Sequence, residues 1–206
     1  MIKIWDYKKG LIPTESAIRE AAHKTGSEFL ELLPDSKIIK KKLLEIDLGA
    51  IAKGYTAKKI AELLIKEGVS KAVIQVGGEV YAFGGEYRVG IVNPKDKKPI
   101  YSFTVQDKGI STSGDYERFF NKNGIIYSHI IDPRNMRPAT VTAHSVSVIG
   151  PDSTFTDALS TSFFILGPEK SFEILKKYSG YSAVFILPDR SVIKSPFFPY
   201  PMDEIK

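Results

Sequence analysis

The sequence predicts an α+β fold in which antiparallel or mixed sheets are flanked by helices. Two observations support this class. Short apolar and β-branched runs follow one another across brief glycine- or proline-containing turns, and they are interrupted by segments in which apolar residues recur at helical spacing. At 206 residues the chain is long enough to bury a core, and nothing in its composition marks a linker, so we expect one domain over residues 1–206.

The first third of the chain predicts two helices and two strands. The predicted elements are a helix from Pro13 that fades near Gly26, strands at 29–33 and 43–48, and a helix over 53–67. In the second helix the apolar residues keep helical spacing, and Gly68 supplies a stop signal.

The remainder predicts further strands, a pair of helices and an extended tail. The strands are expected at 71–76, 80–83, 87–92, 100–105, 125–130, 143–149, 183–187 and 191–194. Helices over 153–166 and 168–178 are separated by Gly167-Pro168, and the last two strands form a hairpin. Prolines keep the tail 195–201 extended, and its aromatic side chains are expected to dock on a surface.

Composition excludes several functions. With no cysteine there is no disulfide, thiolate metal site or thiol nucleophile, and no apolar run is long enough to cross a bilayer. The segment Met1–Asp6 does not read as a signal peptide, so a cytoplasmic location is expected for the chain as given. The net charge of +5 comes from short lysine runs such as 40–42, which lack interleaved aromatics and predict solvated loops instead of a nucleic-acid surface.

Asp157 and Thr161 form the first candidate site. Four residues apart, they share one helix face and offer hard oxygen ligands suited to Mg²⁺. An acid in a first helical turn is also typical of capping, and Thr161 could simply bond a backbone carbonyl. Both interpretations stay open from the sequence alone.

The segment 46–55 is the second candidate. It reads as a strand end that turns through Gly49 into a helix start, where backbone groups and Lys53 could meet a phosphate. A metal beside an anion-binding turn suggests chemistry on a phosphorylated cofactor.

The third candidate is His129, which precedes Ile131-Asp132-Pro133. An imidazole near a phosphate could donate a proton or a hydrogen bond, whereas the alternative is a polar His129 beside a turn-capping Asp132. His23 and His144 have no comparable surroundings in the sequence, which argues against a zinc site.

Two glycine-containing segments, 77–79 and 112–116, are interpreted as turns that let backbone approach a ligand, or as plain hairpin turns. There is no Gly-x-Gly-x-x-Gly after a strand, no Walker lysine and no Gly-x-Ser-x-Gly elbow. The sequence therefore does not predict a Rossmann dinucleotide-binding domain, a P-loop nucleotidase or a common serine hydrolase.

Taken in order, these segments resemble the ApbE family of Mg²⁺-dependent FAD:protein FMN transferases. The matching pieces are Asp47–Gly54, Gly77–Glu79, Thr112–Tyr116, His129–Pro133, Thr156–Thr161 and Leu166–Glu169. The resemblance implies a T-fold-related architecture and a reaction that cleaves the FAD pyrophosphate, passes FMN to a threonine or serine hydroxyl of a target flavoprotein and releases AMP.

The resemblance also assigns residues. It implies that the Ala50 carbonyl, Asp157 and Thr161 bind Mg²⁺, and that His129 and Asp157 are the candidate catalytic residues. The residues it implies to contact FAD are Asp47, Lys53, Gly77, Gly78, Thr112, Ser113, His129 and Ile131.

One difference from the family affects these expectations. Members usually carry roughly a hundred further residues before the part matched here, with a Met-Gly-Thr strand, and often a lipoprotein signal. The chain is therefore expected to be trimmed, naturally short or half of a split enzyme, and extracytoplasmic if trimmed. Weak FAD binding or a homo-oligomer is expected, and the alternative functions are FAD pyrophosphatase and a flavin-binding module without turnover.

Overall fold

Every strand pair among the described residues is antiparallel, which confirms the α+β class. The structure is a computed structural model that describes residues 4–6, 9–93, 96, 98–116, 119–140 and 142–205. Within these ranges no helix is both long and apolar enough to cross a membrane. The chain divides into a first unit, residues 1–47 and 118–140, and a second unit, residues 48–117 and 141–206.

The helices are α1 (Glu15–His23), α2 (Ala52–Lys66) and α3 (Ser153–Leu175). The strands are β1 (Leu30–Leu33), β2 (Lys37–Lys40), β3 (Ala72–Val76), β4 (Glu79–Phe83), β5 (Tyr87–Val92), β6 (Pro99–Val105), β7 (Lys108–Gly114), β8 (Phe119–Lys122), β9 (Ile125–Ser128), β10 (Ile131–Asp132), β11 (Arg137–Pro138), β12 (Ser145–Gly150), β13 (Ser182–Ile186), β14 (Val192–Lys194) and β15 (Asp203–Glu204).

The first unit consists of α1 and three antiparallel hairpins, β1–β2, β8–β9 and β10–β11. Thr14 caps α1, because its hydroxyl accepts a hydrogen bond from the Ala17 amide. The buried apolar side chains of this unit are Trp5, Ile18, Leu44, Ile130 and Ala139.

The strand predicted at 43–48 is wrong. Asp35 and Ser36 adopt positive φ angles of 60° and 58°, so the chain reverses directly after β1 and residues 37–40 become its partner. Residues 43–48 then run without a ladder, and Leu43 is 89% exposed. Lys40, expected in a solvated loop, is the exposed last residue of β2.

The second unit is layered around a six-stranded sheet with the order β14-β13-β12-β7-β4-β3. Alternation along β4 places Ala82 in a core shared with the three-stranded sheet β15-β6-β5 and Phe83 in a core shared with α2. The α2 core also contains Ala57, Ala61 and Ile74, which confirms the apolar face predicted for this helix.

The strand β7 was missed because its sequence, rich in serine and glycine, reads as a turn. The stretch Thr112–Gly114 instead lies in the centre of the sheet, where β7 pairs with both β4 and β12. The strands β8, β10, β11 and β15 also lie outside the predicted set.

The last two helices follow the prediction, but the tail is not extended throughout, because Phe197 has a φ of 56° and the Phe198 amide donates to the Ser195 carbonyl in a turn. α3 breaks at Gly167, whose φ of 77° and ψ of 172° are not helical, and Pro168 starts the second segment. In the tail, Phe198 and Tyr200 pack on Phe103 with ring centroids 6.2 and 5.5 Å away, whereas Phe197 is fully exposed.

Candidate active site

Asp157 links the two helices of the second unit. Its Oδ2 accepts a hydrogen bond from the Gly54 amide at 2.8 Å, at the first turn of α2. α2 begins without a side-chain cap of its own, because Ile51 stands at the N-cap position. The carboxylate thus occupies the place where a helix N-terminus binds anions.

A glycine is needed at position 54. A Cβ there would lie 2.1 Å from the Ser153 carbonyl oxygen and 2.7 Å from the Asp157 Cβ. The Gly54 carbonyl also accepts a hydrogen bond from the Ser153 hydroxyl at 2.8 Å. Both backbone groups of Gly54 are therefore used to dock α2 against α3.

Asp157 does not cap its own helix. Asp152 is the N-cap of α3, since its carboxylate accepts from the amides of Thr154 and Phe155. Asp157 lies beyond this cap and is buried. Of the two interpretations of Asp157, capping of α3 is wrong, and the carboxylate instead serves the N-terminus of α2.

Thr161 faces β7. Its hydroxyl lies 3.2 Å from the Ser113 hydroxyl, which is also 3.0 Å from that of Ser160. One turn earlier on α3, the hydroxyls of Thr156 and Ser111 are 2.8 Å apart. A row of hydroxyls therefore fixes α3 on β7 and places Asp157 and Thr161 on the side of the helix that follows this strand.

Thr112 lies on the other face of β7. Its hydroxyl pairs with that of Ser147 at 2.7 Å, and strand alternation directs it away from Ser113. The structure thus brings Ser113, and not Thr112, to Thr161.

Glu79 is a site residue that the sequence analysis did not select. It is 2% exposed, and its Oε1 lies 2.5 Å from the Lys53 ammonium. It directly follows Gly77 and Gly78, whose φ angles of 58° and 105° form the turn between β3 and β4. A Cβ on Gly77 would come within 3.3 Å of the Lys53 side chain. The glycine pair is therefore a hairpin turn, and it also leaves room for the lysine.

Burial raises the pKa of both acids. For Glu79 the largest cause is desolvation, reinforced by the negative charge of Asp157 and opposed by Lys53 and the Ser111 hydroxyl. For Asp157 desolvation also raises the pKa, opposed by the Gly54 amide and by Lys53. Two buried carboxylates therefore share the positive charge of one lysine.

These residues suit a hard cation. If α2 began one turn earlier, the Gly54 amide would donate a hydrogen bond to the Ala50 carbonyl. In the structure this amide donates to Asp157 instead. Glu79 Oε2 is buried and has no hydrogen-bond partner among the described residues. Those residues hold no cluster of three or more His, Asp or Glu side chains arranged for a metal. A divalent ion would thus depend on carbonyl, hydroxyl and phosphate oxygens beside Asp157, which is the donor set that Mg²⁺ prefers.

Three predicted site residues, Asp47, His129 and Ile131, belong to the first unit. Asp47 is exposed, whereas His129 and Ile131 are half-buried around the start of β10. Next to them Asp132 accepts hydrogen bonds from the Arg134 amide and guanidinium. The turn-capping interpretation of Asp132 is therefore confirmed, and it does not decide between the two interpretations of His129.

His144, whose neighbours in the sequence suggested no role, has an acidic partner in the structure. Its Nδ1 lies 2.8 Å from Oδ2 of the buried Asp115. The two backbones also pair, since the Asp115 amide donates to the His144 carbonyl. The two residues follow β7 and precede β12, so only the register of these strands reveals the pair.

Comparison with known proteins gives a consistent result. The family model described as ApbE family matches residues 1–185. An FAD:protein FMN transferase of Treponema pallidum is 35% identical over 93% of this chain and 59% of its own length. One of Klebsiella pneumoniae is 33% identical over 95% of this chain and 63% of its own length. The chain thus spans about three fifths of these curated relatives.

Solved structures are similar as well. The ApbE protein of Thermotoga maritima superposes with a TM-score of 0.85 at 27% identity, covering 96% of this chain and 68% of that one. A flavin transferase ApbE of Vibrio cholerae gives a TM-score of 0.80 at 26% identity, covering 94% and 65%.

Proposed function

The chain belongs to the ApbE family, and from this premise we propose that it transfers FMN from FAD to a threonine or serine hydroxyl of a target flavoprotein, with Mg²⁺ and with release of AMP. The observation that carries the proposal is the placement of Asp157. Its buried carboxylate lies at the N-terminus of α2, one turn from Thr161 and within the electrostatic reach of Lys53. Anion-binding backbone, a hard ligand pair and a cation are together what phosphoryl transfer requires.

In this proposal Asp157, Thr161 and the Ala50 carbonyl would hold Mg²⁺, which would supply positive charge to neutralise the pyrophosphate. Lys53 supplies a second positive charge beside the helix start. The acceptor hydroxyl oxygen attacks the phosphorus of the FMN half, the bond from that phosphorus to the bridging oxygen breaks, and AMP leaves with the bridging oxygen. The remaining proposed FAD contacts are Asp47, Gly77, Gly78, Ser113, His129 and Ile131.

The proton of the acceptor hydroxyl needs a base, and two residues are candidates. Asp157 has a raised pKa because it is buried, and His129 carries an imidazole, the side chain most often used as a general base. A His129→Gln variant separates them. If His129 is the base, the variant loses the acidic limb of the pH–rate profile; if Asp157 is the base, that limb persists.

The test is incubation with FAD and Mg²⁺, with and without a flavoprotein domain that carries the acceptor hydroxyl. AMP release together with covalent FMN on the acceptor supports the proposal, and chelation by EDTA should stop both. AMP and free FMN without an acceptor would instead indicate FAD pyrophosphatase. FAD binding with no AMP under any condition would indicate a flavin-binding module and overturn the transferase proposal.

A further inference from the structure

Glu79 is buried more completely than a surface ion pair requires. Only 2% of it is exposed, and one carboxylate oxygen meets Lys53 while the other, Oε2, finds no hydrogen-bond partner among the described residues. Leaving a buried carboxylate oxygen without a hydrogen bond is costly, and a bound ion is one of the physical explanations for such a group.

The charges around Glu79 do not balance. Burial raises the pKa of both Glu79 and Asp157, the negative charge of Asp157 raises the pKa of Glu79 further, and both carboxylates interact with the ammonium of Lys53. With both carboxylates ionised and Lys53 protonated, these three side chains together carry one net negative charge. Because both acids are buried, that negative charge is unfavourable, and either a bound proton or a further cation would relieve it.

The residues around Glu79 are polar. The Ser111 hydroxyl lies close enough to Glu79 to oppose the rise of its pKa, and it pairs with Thr156 of α3, one residue before Asp157. Glu79 is thus connected to the helix that carries Asp157 through β7, and not only through Lys53. Its unsatisfied oxygen and the Asp157 carboxylate belong to one polar cluster.

We propose that Glu79 is an additional carboxylate of the cation site and that Lys53 neutralises it when the cation is absent. This inference rests on the proposed function, because it takes the Asp157–Thr161 pair to bind a divalent cation. Oxygen ligands and charge count set the affinity of such sites. On this view Lys53 has two anionic partners, Glu79 in the protein alone and a phosphate of FAD once substrate binds.

Mn²⁺ titration followed by electron paramagnetic resonance tests this without any turnover. Glu79→Gln keeps the size and removes the charge, and it should weaken Mn²⁺ binding by about tenfold or more. Lys53→Met should have the opposite sign, because it releases the Glu79 carboxylate, and strengthen Mn²⁺ binding by about tenfold. In the double variant that gain should disappear, since Lys53 then has no charge on Glu79 to mask.

The controls separate the two proposals. Glu62→Gln removes an exposed carboxylate of α2 that forms an ion pair with Lys59, and it should leave Mn²⁺ binding unchanged. If the parent chain binds no Mn²⁺, the metal part of the proposed function fails. If the parent binds Mn²⁺ and Glu79→Gln binds it equally well, only the present inference is overturned. Thermal melting of each variant shows that the comparison is made between folded proteins.

Discussion

The Asp157 carboxylate accepts a hydrogen bond from the Gly54 amide across 103 residues of sequence. This bond joins the two segments that the sequence analysis had selected separately, the Asp47–Gly54 stretch and the Thr156–Thr161 stretch. The acid of one segment fills the anion position of the other, so the metal candidate and the anion-binding turn form one site.

We expect Asp157→Asn to abolish Mg²⁺-dependent AMP release and to leave the fold intact. The amide oxygen can still accept from Gly54, but the charge that binds a hard cation is lost. Removing a group that only hydrogen-bonds to a metal ligand lowers activity by roughly 10- to 100-fold. The loss of activity in Asp157→Asn should be larger than this. Parent-like turnover of FAD would show that the metal assignment is wrong.

Asp152 offers the matched control for Asp157 on the same helix. Asp152→Ala removes the true N-cap of α3 and its ion pair with Lys58, so the free energy of unfolding should fall by about 1 kcal/mol. AMP release at saturating Mg²⁺ should stay near that of the parent. These results would show that Asp152 stabilises the fold and that Asp157 takes part in the chemistry.

We expect Lys53→Met to weaken FAD binding, measured by calorimetry. Lys58 lies on the same helix, but its pairing with Asp152 makes it a poor control. Lys66, exposed at the end of α2, is the better one, and Lys66→Met should bind FAD as the parent does. Equal titrations for the two variants would remove Lys53 from the site.

Gly54→Ala should destabilise the second unit by about 3 kcal/mol, because the added methyl overlaps the Ser153 carbonyl and displaces α2 from α3. Gly68 follows the same helix with a φ of 85° and open space around it. Gly68→Ala should therefore cost only about 1 kcal/mol of backbone strain. Denaturant unfolding measures both, and similar losses would contradict the role assigned to the close approach at Gly54.

The raised pKa values of Glu79 and Asp157 predict a pH-dependent stability in metal-free buffer. Both acids bind protons more tightly in the folded chain than in the unfolded one. As the pH rises through the window from their ordinary pKa of about 4 up to the raised folded pKa, the unfolded chain loses its protons first, so stability falls. Below the window, both states are protonated and the penalty is absent.

The double variant Glu79→Gln/Asp157→Asn should show a smaller decrease in melting temperature across that window than the parent. The difference between the two curves of melting temperature against pH gives the contribution of Glu79 and Asp157 alone, because the other carboxyl groups are the same in both proteins. Parallel curves would mean that the pKa of neither acid is raised by folding.

Tyr200→Ala should destabilise the chain by about 2 kcal/mol, because its ring covers Phe103 in the core between the two sheets. Phe197→Ala, at a fully exposed position three residues earlier, should stay within about 0.5 kcal/mol of the parent. Thermal melting compares them. An equal effect of the two would show that the tail does not dock in solution.

The predictable part of the fold is the part with strong local signals. α2 has a regular apolar face ending at Gly68, and the hairpins around Gly77-Gly78 and 188–190 have clear turn residues, so these elements were predicted closely. The strand β7 was missed because Ser111 and Ser113 satisfy their hydroxyls on α3, a partner that local sequence does not reveal. The strand expected at 43–48 fails because Asp35 and Ser36 reverse the chain earlier than the apolar pattern suggests.

In the candidate site, too, some features follow from local sequence and others depend on tertiary packing. Asp157 and Thr161 share a helix face that four-residue spacing predicts, whereas the bond from Gly54 to Asp157 depends on helix packing. Glu79 followed a glycine pair that was already marked as a turn, and this was the one signal that could have identified it. Its burial and its unsatisfied oxygen are properties of the folded chain alone.

The docked tail also bears on where this protein can be cut. The family match ends at residue 185, inside β13, yet β14 pairs with that strand and Phe198 and Tyr200 complete the core around Phe103. A fragment designed to end at the family match would expose apolar surface from both sheets. The similarity boundary and the folding boundary of this chain are therefore different, and expression of the shorter piece should favour aggregation.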